Sequence, residues 1–93
     1  MSKKKETSDA PEILFSAEDI NDFPNDAGDN YCAGLSFEKA GDFDEADNRF
    51  ALAIETLQLG GWNRTARKVL KKIRNESRRR DMLVRIQASE AGI

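Results

Sequence analysis

The acidic residues near the middle of the chain are the first candidates for chemistry. Four carboxylates lie close together, at Asp42, Asp44, Glu45 and Asp47. Such a cluster could bind calcium, but an EF-hand loop also needs a glycine at its sharp turn and a glutamate at its last position. The sequence offers neither at the right place. Because the helix dipole favours negative charge in a first turn, we expect these carboxylates to serve helix capping.

The composition gives little support to catalysis. The chain contains no histidine and a single cysteine, Cys32. This removes the commonest general base and metal ligand, and one thiol cannot build a structural zinc site. P-loop, G-x-G-x-x-G and G-x-S-x-G motifs do not occur. We therefore predict a protein that is not an enzyme and uses no cofactor, metal or small-molecule substrate.

Basic side chains are concentrated in the last third of the chain. Residues 61–93 contain 10 bases and 3 acids, whereas residues 1–60 contain 5 bases and 14 acids. A solvated face, an acidic protein partner and nucleic acid bound through residues 64–85 are all compatible with this pattern. The candidate contacts to phosphate or to an acidic surface are Lys68, Lys71, Lys72, Arg78, Arg79 and Arg80.

The sequence also bears on the location of the protein. It contains no apolar run long enough to cross a bilayer. The basic start, Met1–Lys5, is not followed by the apolar core of a secretory signal. A lone cysteine cannot form an internal disulfide, which fits a reducing compartment. These features predict a cytoplasmic protein without a membrane partner.

The first quarter of the chain divides into two regions. Residues 1–12 are polar and aperiodic, which is typical of a disordered tail. Residues 13–24 combine apolar and acidic residues around a short helix that Ser16 can cap and Pro24 ends. The segment Ile13–Phe23 can complete the core of its own domain or dock on another protein, and the sequence leaves both alternatives open.

Residues 25–60 predict a helical hairpin. We expect one helix from residue 27 or 29 to residue 40, and a second from residue 43 to residue 57 or 59. Gly41 suits the left-handed position after a helix, and Asp42 suits the next N-cap with Glu45 as its capping-box partner. Small residues and aromatics recur where the two helices would cross, at Gly34, Phe37, Ala46, Phe50 and Ala53.

The hairpin resembles one tetratricopeptide repeat over residues 30–58. Gly34 and Phe37 match the G-x2-Y part of the family pattern, and Ala46 and Phe50 match A-x3-F. The sequence departs from that pattern at three positions, where the family has Trp, Leu and Pro and this chain has Asn30, Ala33 and Gln58.

The resemblance implies a role in binding other proteins. In that family the first helix of each repeat lines a concave face. Here the resemblance places four residues on it, which we expect to contact an apolar segment or helix of a partner: Tyr31, Cys32, Leu35 and Lys39.

Residues 61–93 predict an amphipathic helix that caps the hairpin. Its first apolar stripe includes Trp62, Val69 and Ile73, at helical spacing. Because neither Gly nor Pro interrupts residues 62–90, we expect one long helix whose second half projects, although the polar interval Asn75–Ser77 also permits a break. The projecting half would present a second contact site at Met82, Leu83 and Ile86.

The sequence thus predicts an all-α fold, in which a hairpin that resembles a tetratricopeptide repeat precedes a long basic C-terminal helix. The predicted function is non-enzymatic protein–protein interaction, as a small adaptor, chaperone or assembly subunit of a larger complex. The partner is another protein or a second copy of the chain. The alternative is a nucleic-acid- or ribosome-binding protein that acts through its basic C-terminal helix.

Overall fold

The computed structural model describes residues 14–92, which form five helices and no strand. The predicted tail at residues 1–12 and Ile13 lie outside the described residues. The helices are α1 (Ala17–Asn21), α2 (Ala27–Lys39), α3 (Phe43–Leu59), α4 (Asn63–Leu70) and α5 (Glu76–Glu90). The prediction of an all-α fold is confirmed.

The α2–α3 hairpin is built on a close approach of two helices. Gly34 of α2 faces the ring of Phe50 of α3, and a Cβ at Gly34 would lie 2.6 Å from Cε1 of Phe50. Phe50 and Ala46 are buried, whereas Phe37 is half-buried at the edge of the core. The predicted crossing point is therefore confirmed, because a larger residue at position 34 cannot fit beside this ring.

The turn between α2 and α3 follows from local residue chemistry. Gly41 has φ +85°, in the left-handed region that favours glycine. The backbone N–H of Asp42 donates to the carbonyl of Phe37 at 2.9 Å, and the Asp42 carboxylate accepts a hydrogen bond from the N–H of Glu45 at 3.3 Å. The predicted glycine turn and N-cap are both confirmed, whereas the predicted capping box is wrong, because the Glu45 carboxylate contacts Asn48 and Arg49 instead.

The expectation of one long C-terminal helix is wrong, and the alternative of a break near Asn75–Ser77 is closer to the structure, because α4 ends at Leu70 and α5 begins at Glu76. The N–H groups of residues 71–73 donate to carbonyls three positions earlier, which tightens the end of α4. Asn75 then begins α5 by accepting a hydrogen bond from the N–H of Arg78 at 2.9 Å. Residues 63–90 therefore form a second helical hairpin.

The second half of this region does not project. Met82 and Ile86 are buried, and Leu83 is half-buried against the core. The expectation of an exposed stripe at these residues is wrong, because α5 folds back and packs its apolar side on α4 and α3. The core runs continuously between the two hairpins, and its largest fully buried side chains are Phe50, Ile54, Leu57, Val69, Ile73 and Ile86.

The segment before α2 docks on its own domain in this structure. Ser16 caps α1 as predicted, and Asp19 completes a capping box with it. The rings of Phe15 and Phe23, on either side of α1, pack edge-on against Tyr31 at centroid distances of 5.3 and 6.2 Å. Tyr31 is consequently buried, with 3% of its surface exposed.

Candidate protein-binding surfaces

The residues predicted to form a concave contact face do not form one exposed surface. Tyr31 is covered by Phe15 and Phe23, so its predicted exposure is wrong. Leu35 is half-buried and packs against the core, whereas Cys32 and Lys39 are exposed. Tyr31 belongs to the aromatic core, and a partner reaches it only if the segment before α2 leaves.

An open concavity lies instead between α3 and α5. We call it the outer groove. It has a volume of about 600 Å³ and is lined by Glu55, Gln58, Leu59, Arg85, Ala88 and Ser89. Leu59 is 91% exposed, which makes it the most exposed large apolar residue in the described part of the chain.

Polar contacts between α3 and α5 hold the outer groove in shape. The amide nitrogen of Gln58 donates to the backbone carbonyl of Arg85 at 3.0 Å. The Arg85 guanidinium lies 3.3 Å from a carboxylate oxygen of Glu55. These contacts fix the spacing of the two helices and leave the Leu59 side chain free of the core.

A second ion pair joins the last turn of α4 to the end of α5. Arg67 donates two hydrogen bonds to the carboxylate of Glu90, at 2.9 and 2.7 Å. These hydrogen bonds are the main reason why the pKa of Glu90 lies below its ordinary value. The same hydrogen bonds raise the pKa of Arg67. The pair closes the α4–α5 hairpin at the end where the outer groove lies.

Two further apolar residues extend the apolar surface near the outer groove. Leu52 lies two helical turns before Leu59 on the same face of α3, and it is 46% exposed. Val84 lies one turn before Ala88 on α5, and it is 59% exposed. This surface was not predicted from the sequence. The signal that could have revealed it is the pair of apolar residues at positions 52 and 59, on the otherwise polar side of α3.

The structure divides the predicted basic contacts into two groups. Three of them are used within the chain. Lys72 lies 2.9 Å from a carboxylate oxygen of Glu38, Arg79 donates to the carbonyl of Ile73 at 2.7 Å, and Arg80 lies 3.3 Å from Glu76. The other three, none of which forms an ion pair with a described residue, are Lys68, Lys71 and Arg78.

The second group includes two lysines on one face of α4. Lys68 and Lys71 are exposed, and Arg64 lies one turn before Lys68 on the same side of the helix. The ammonium group of Lys68 lies 5.8 Å from the centroid of the Phe15 ring. This short basic face is one part of residues 64–85 that remains open to an anionic partner.

Within residues 14–92, no group of three or more His, Cys, Asp or Glu side chains is arranged to hold a metal ion. None of the helices in this range combines the length and apolar character needed to span a membrane. Comparisons with protein-family models, curated proteins and solved structures found no match. The resemblance to a tetratricopeptide repeat and the cytoplasmic location therefore stay predictions.

Proposed function

We propose that this protein is a non-enzymatic protein–protein interaction module, acting as a small adaptor, chaperone or assembly subunit, and that the outer groove is its principal contact surface. The observation that supports the proposal is the exposure of Leu59, which lies in a groove that residues 14–92 leave unfilled. Exposed apolar patches with a polar rim commonly mark interaction sites. Arg85 and Glu55 supply such a rim, with one charge of each sign.

The outer groove favours an apolar anchor from the partner. Leu59 and the Ala88 methyl group offer apolar contact, whereas the Glu55–Arg85 pair can orient polar groups beside it. Interfaces are commonly arranged with an apolar centre and a hydrogen-bonding rim. The expected partner element is therefore an amphipathic segment with a large apolar residue facing Leu59.

The proposal can be tested by affinity capture from native extract treated with nuclease. Leu59→Ser should abolish capture of the partner, whereas Leu59→Met, which keeps an apolar side chain at the same position, should retain it. Circular dichroism of both variants checks that the helices remain intact. Equal capture by the two variants would contradict a role of the outer groove.

A second candidate function, binding of nucleic acid or ribosomes, is favoured by the exposed face of Arg64, Lys68 and Lys71. Three exposed cations on one helix face can contact successive phosphates. If this face binds RNA or DNA, affinity should fall steeply as salt rises, because bound counterions are released. A triple change to alanine at these positions should then weaken binding to many sequences alike. Absence of binding to RNA and DNA at low salt rejects this candidate.

A further inference from the structure

The segment before α2 rests on a surface that it covers only in part. Phe15 and Phe23 contact each other at 5.1 Å between centroids, and Phe23 lies 6.2 Å from the ring of Trp62. We call the surface beneath them the aromatic site, formed by Tyr31 of α2, by Trp62 at the N-cap of α4, and by Thr65 and Lys68 of α4. Trp62 retains 37% exposure, so the segment does not seal the aromatic site.

The attachment of α1 is weak compared with that of the other helices. α1 has only five residues, none of them buried, and its first turn is closed by its own capping box. Among the described residues, the segment is held by Phe23, which is buried in the core, by Phe15, and by the half-buried Ile20, which approaches Gly28. Elements with few buried apolar contacts open at the lowest free energies.

The charges of the segment and of the surface beneath it are complementary. Asp19 and Asp22 line the same cavity of about 200 Å³ as Lys68. Residues 14–24 contain three acids and no base, whereas the adjoining face of α4 presents Arg64, Lys68 and Lys71. The aromatic site therefore matches a ligand that combines aromatic side chains with carboxylates.

We infer that the aromatic site binds, in trans, an acidic segment of another protein that carries two aromatic residues, and that residues 14–24 are an intramolecular occupant which this partner displaces. Displacement exposes Tyr31 and Trp62 to the partner's rings and leaves Lys68 to pair with its carboxylates. The inference rests on the proposed role in protein binding, but it concerns a surface separate from the outer groove, so the two can fail independently.

The test uses a labelled peptide with the sequence of residues 14–24, LFSAEDINDFP, titrated with the full chain. Phe15→Ser loosens the internal occupant and should therefore bind the peptide more tightly than the native chain. Competition in cis lowers the apparent affinity in proportion to the fraction of chains whose site is open. If the segment is docked about nine-tenths of the time, the expected gain in affinity is about tenfold. A peptide with both phenylalanines changed to serine should not bind.

Two charge reversals in the Phe15→Ser background distinguish the aromatic site from other surfaces. Lys68→Glu should weaken binding by about fivefold, whereas Lys39→Glu, two helical turns beyond Tyr31, and Leu59→Ser, in the outer groove, should leave it unchanged. The inference is overturned if the peptide does not bind a Phe15→Ser chain that is still helical, or if Lys68→Glu and Lys39→Glu have equal effects. Neither result would bear on the proposed function of the outer groove.

The native chain supplies a test that does not depend on folding of the variants. Excess peptide should accelerate hydrogen exchange of the amides of α1 and leave those of α2 and α3 unchanged, because only the segment is displaced. Unchanged exchange in α1 contradicts the inference. A concentration-dependent dimer of the native chain that Phe15→Ser abolishes would identify a second copy as the occupant and would also overturn the proposed partner.

Discussion

The buried carboxylate of Asp47 accepts a hydrogen bond from the backbone N–H of Asn75 at 3.0 Å, across 28 positions of sequence. Its other oxygen accepts from the N–H of Arg74 at 2.9 Å. Both donors belong to the connection between α4 and α5, so one side chain of α3 fixes the place where the second hairpin turns. Asp47 thus joins the two hairpins by polar contacts, in addition to the apolar core.

Asp47→Ala should destabilise the protein because it leaves two backbone N–H groups without their charged acceptor. We expect a loss of about 2–4 kcal/mol in the free energy of unfolding, since hydrogen bonds to charged groups are worth more than neutral ones. Urea denaturation followed by circular dichroism measures the change. Asp44→Ala is the matched control, because Asp44 is exposed in the first turn of the same helix. Equal losses for the two variants would contradict the structural role of Asp47.

Gly34→Ala should be destabilising, because the added methyl group overlaps the Phe50 ring at 2.6 Å. Overpacking of this kind costs about 1–3 kcal/mol, and Ala46→Leu at the same crossing should cost a similar amount. Phe50→Ala leaves a cavity instead and should cost about 3–5 kcal/mol.

The double variant Gly34→Ala/Phe50→Ala tests the contact itself. Removing the ring removes the clash, so the double variant should be more stable than the sum of the two single losses predicts. Thermal or urea unfolding of the four proteins gives the coupling energy. Strict additivity would show that the methyl group at position 34 does not meet Phe50.

The parts of the fold that the sequence predicted correctly depend on local chemistry. Gly41 and Asp42 determine the turn between α2 and α3 from within a few residues, and both were identified from the sequence. The break before α5 was only the second alternative in the sequence analysis, because its stabilising contacts come from Asp47, in another helix. The burial of Tyr31 was missed for a related reason, since periodicity within α2 carries no information about which segment packs on it.

The candidate surfaces were predicted less well than the helices. Met82 and Ile86 form an apolar stripe at helical spacing, and this spacing indicates only that some element covers the stripe. The structure shows that α3 and α4 of the same chain cover it. Leu59 lies at the end of α3 beside the glycine turn. Its contact role was not predicted, because an apolar residue at this position fits the end of a helix equally well.

The Arg67–Glu90 pair should add to stability above mildly acidic pH. Because the pKa of Glu90 is lowered in the folded chain, this contribution is present above the unfolded pKa, about 4.3, and is lost as the pH falls through the lowered value. The effect is small, since the pair is exposed and screened by salt. Melting temperatures of the native chain and Glu90→Gln, measured from neutral to acidic pH, should converge in this window.

Arg67→Gln provides the control for that convergence. It removes the same ion pair from the basic side, so its melting temperature should show the same reduced dependence on pH as Glu90→Gln. High salt should reduce the difference between native chain and variants at neutral pH. A pH dependence in Glu90→Gln that equals that of the native chain would show that the pair does not contribute.

Self-association through the outer groove can be tested with substitutions at its exposed apolar residues. Leu59 and Val84 are largely exposed, so Leu59→Ser and Val84→Ser should change the melting temperature little. If a second copy fills the groove, sedimentation should show a dimer in the native chain that Leu59→Ser abolishes and Leu59→Met retains. Opposite charges on the acidic residues 14–59 and the basic residues 60–92 should make such a dimer weaker as salt rises.

A monomer at all salt concentrations that nonetheless captures a partner through Leu59 would assign the groove to another protein. A monomer that captures nothing from native extract would contradict an interaction role for this surface.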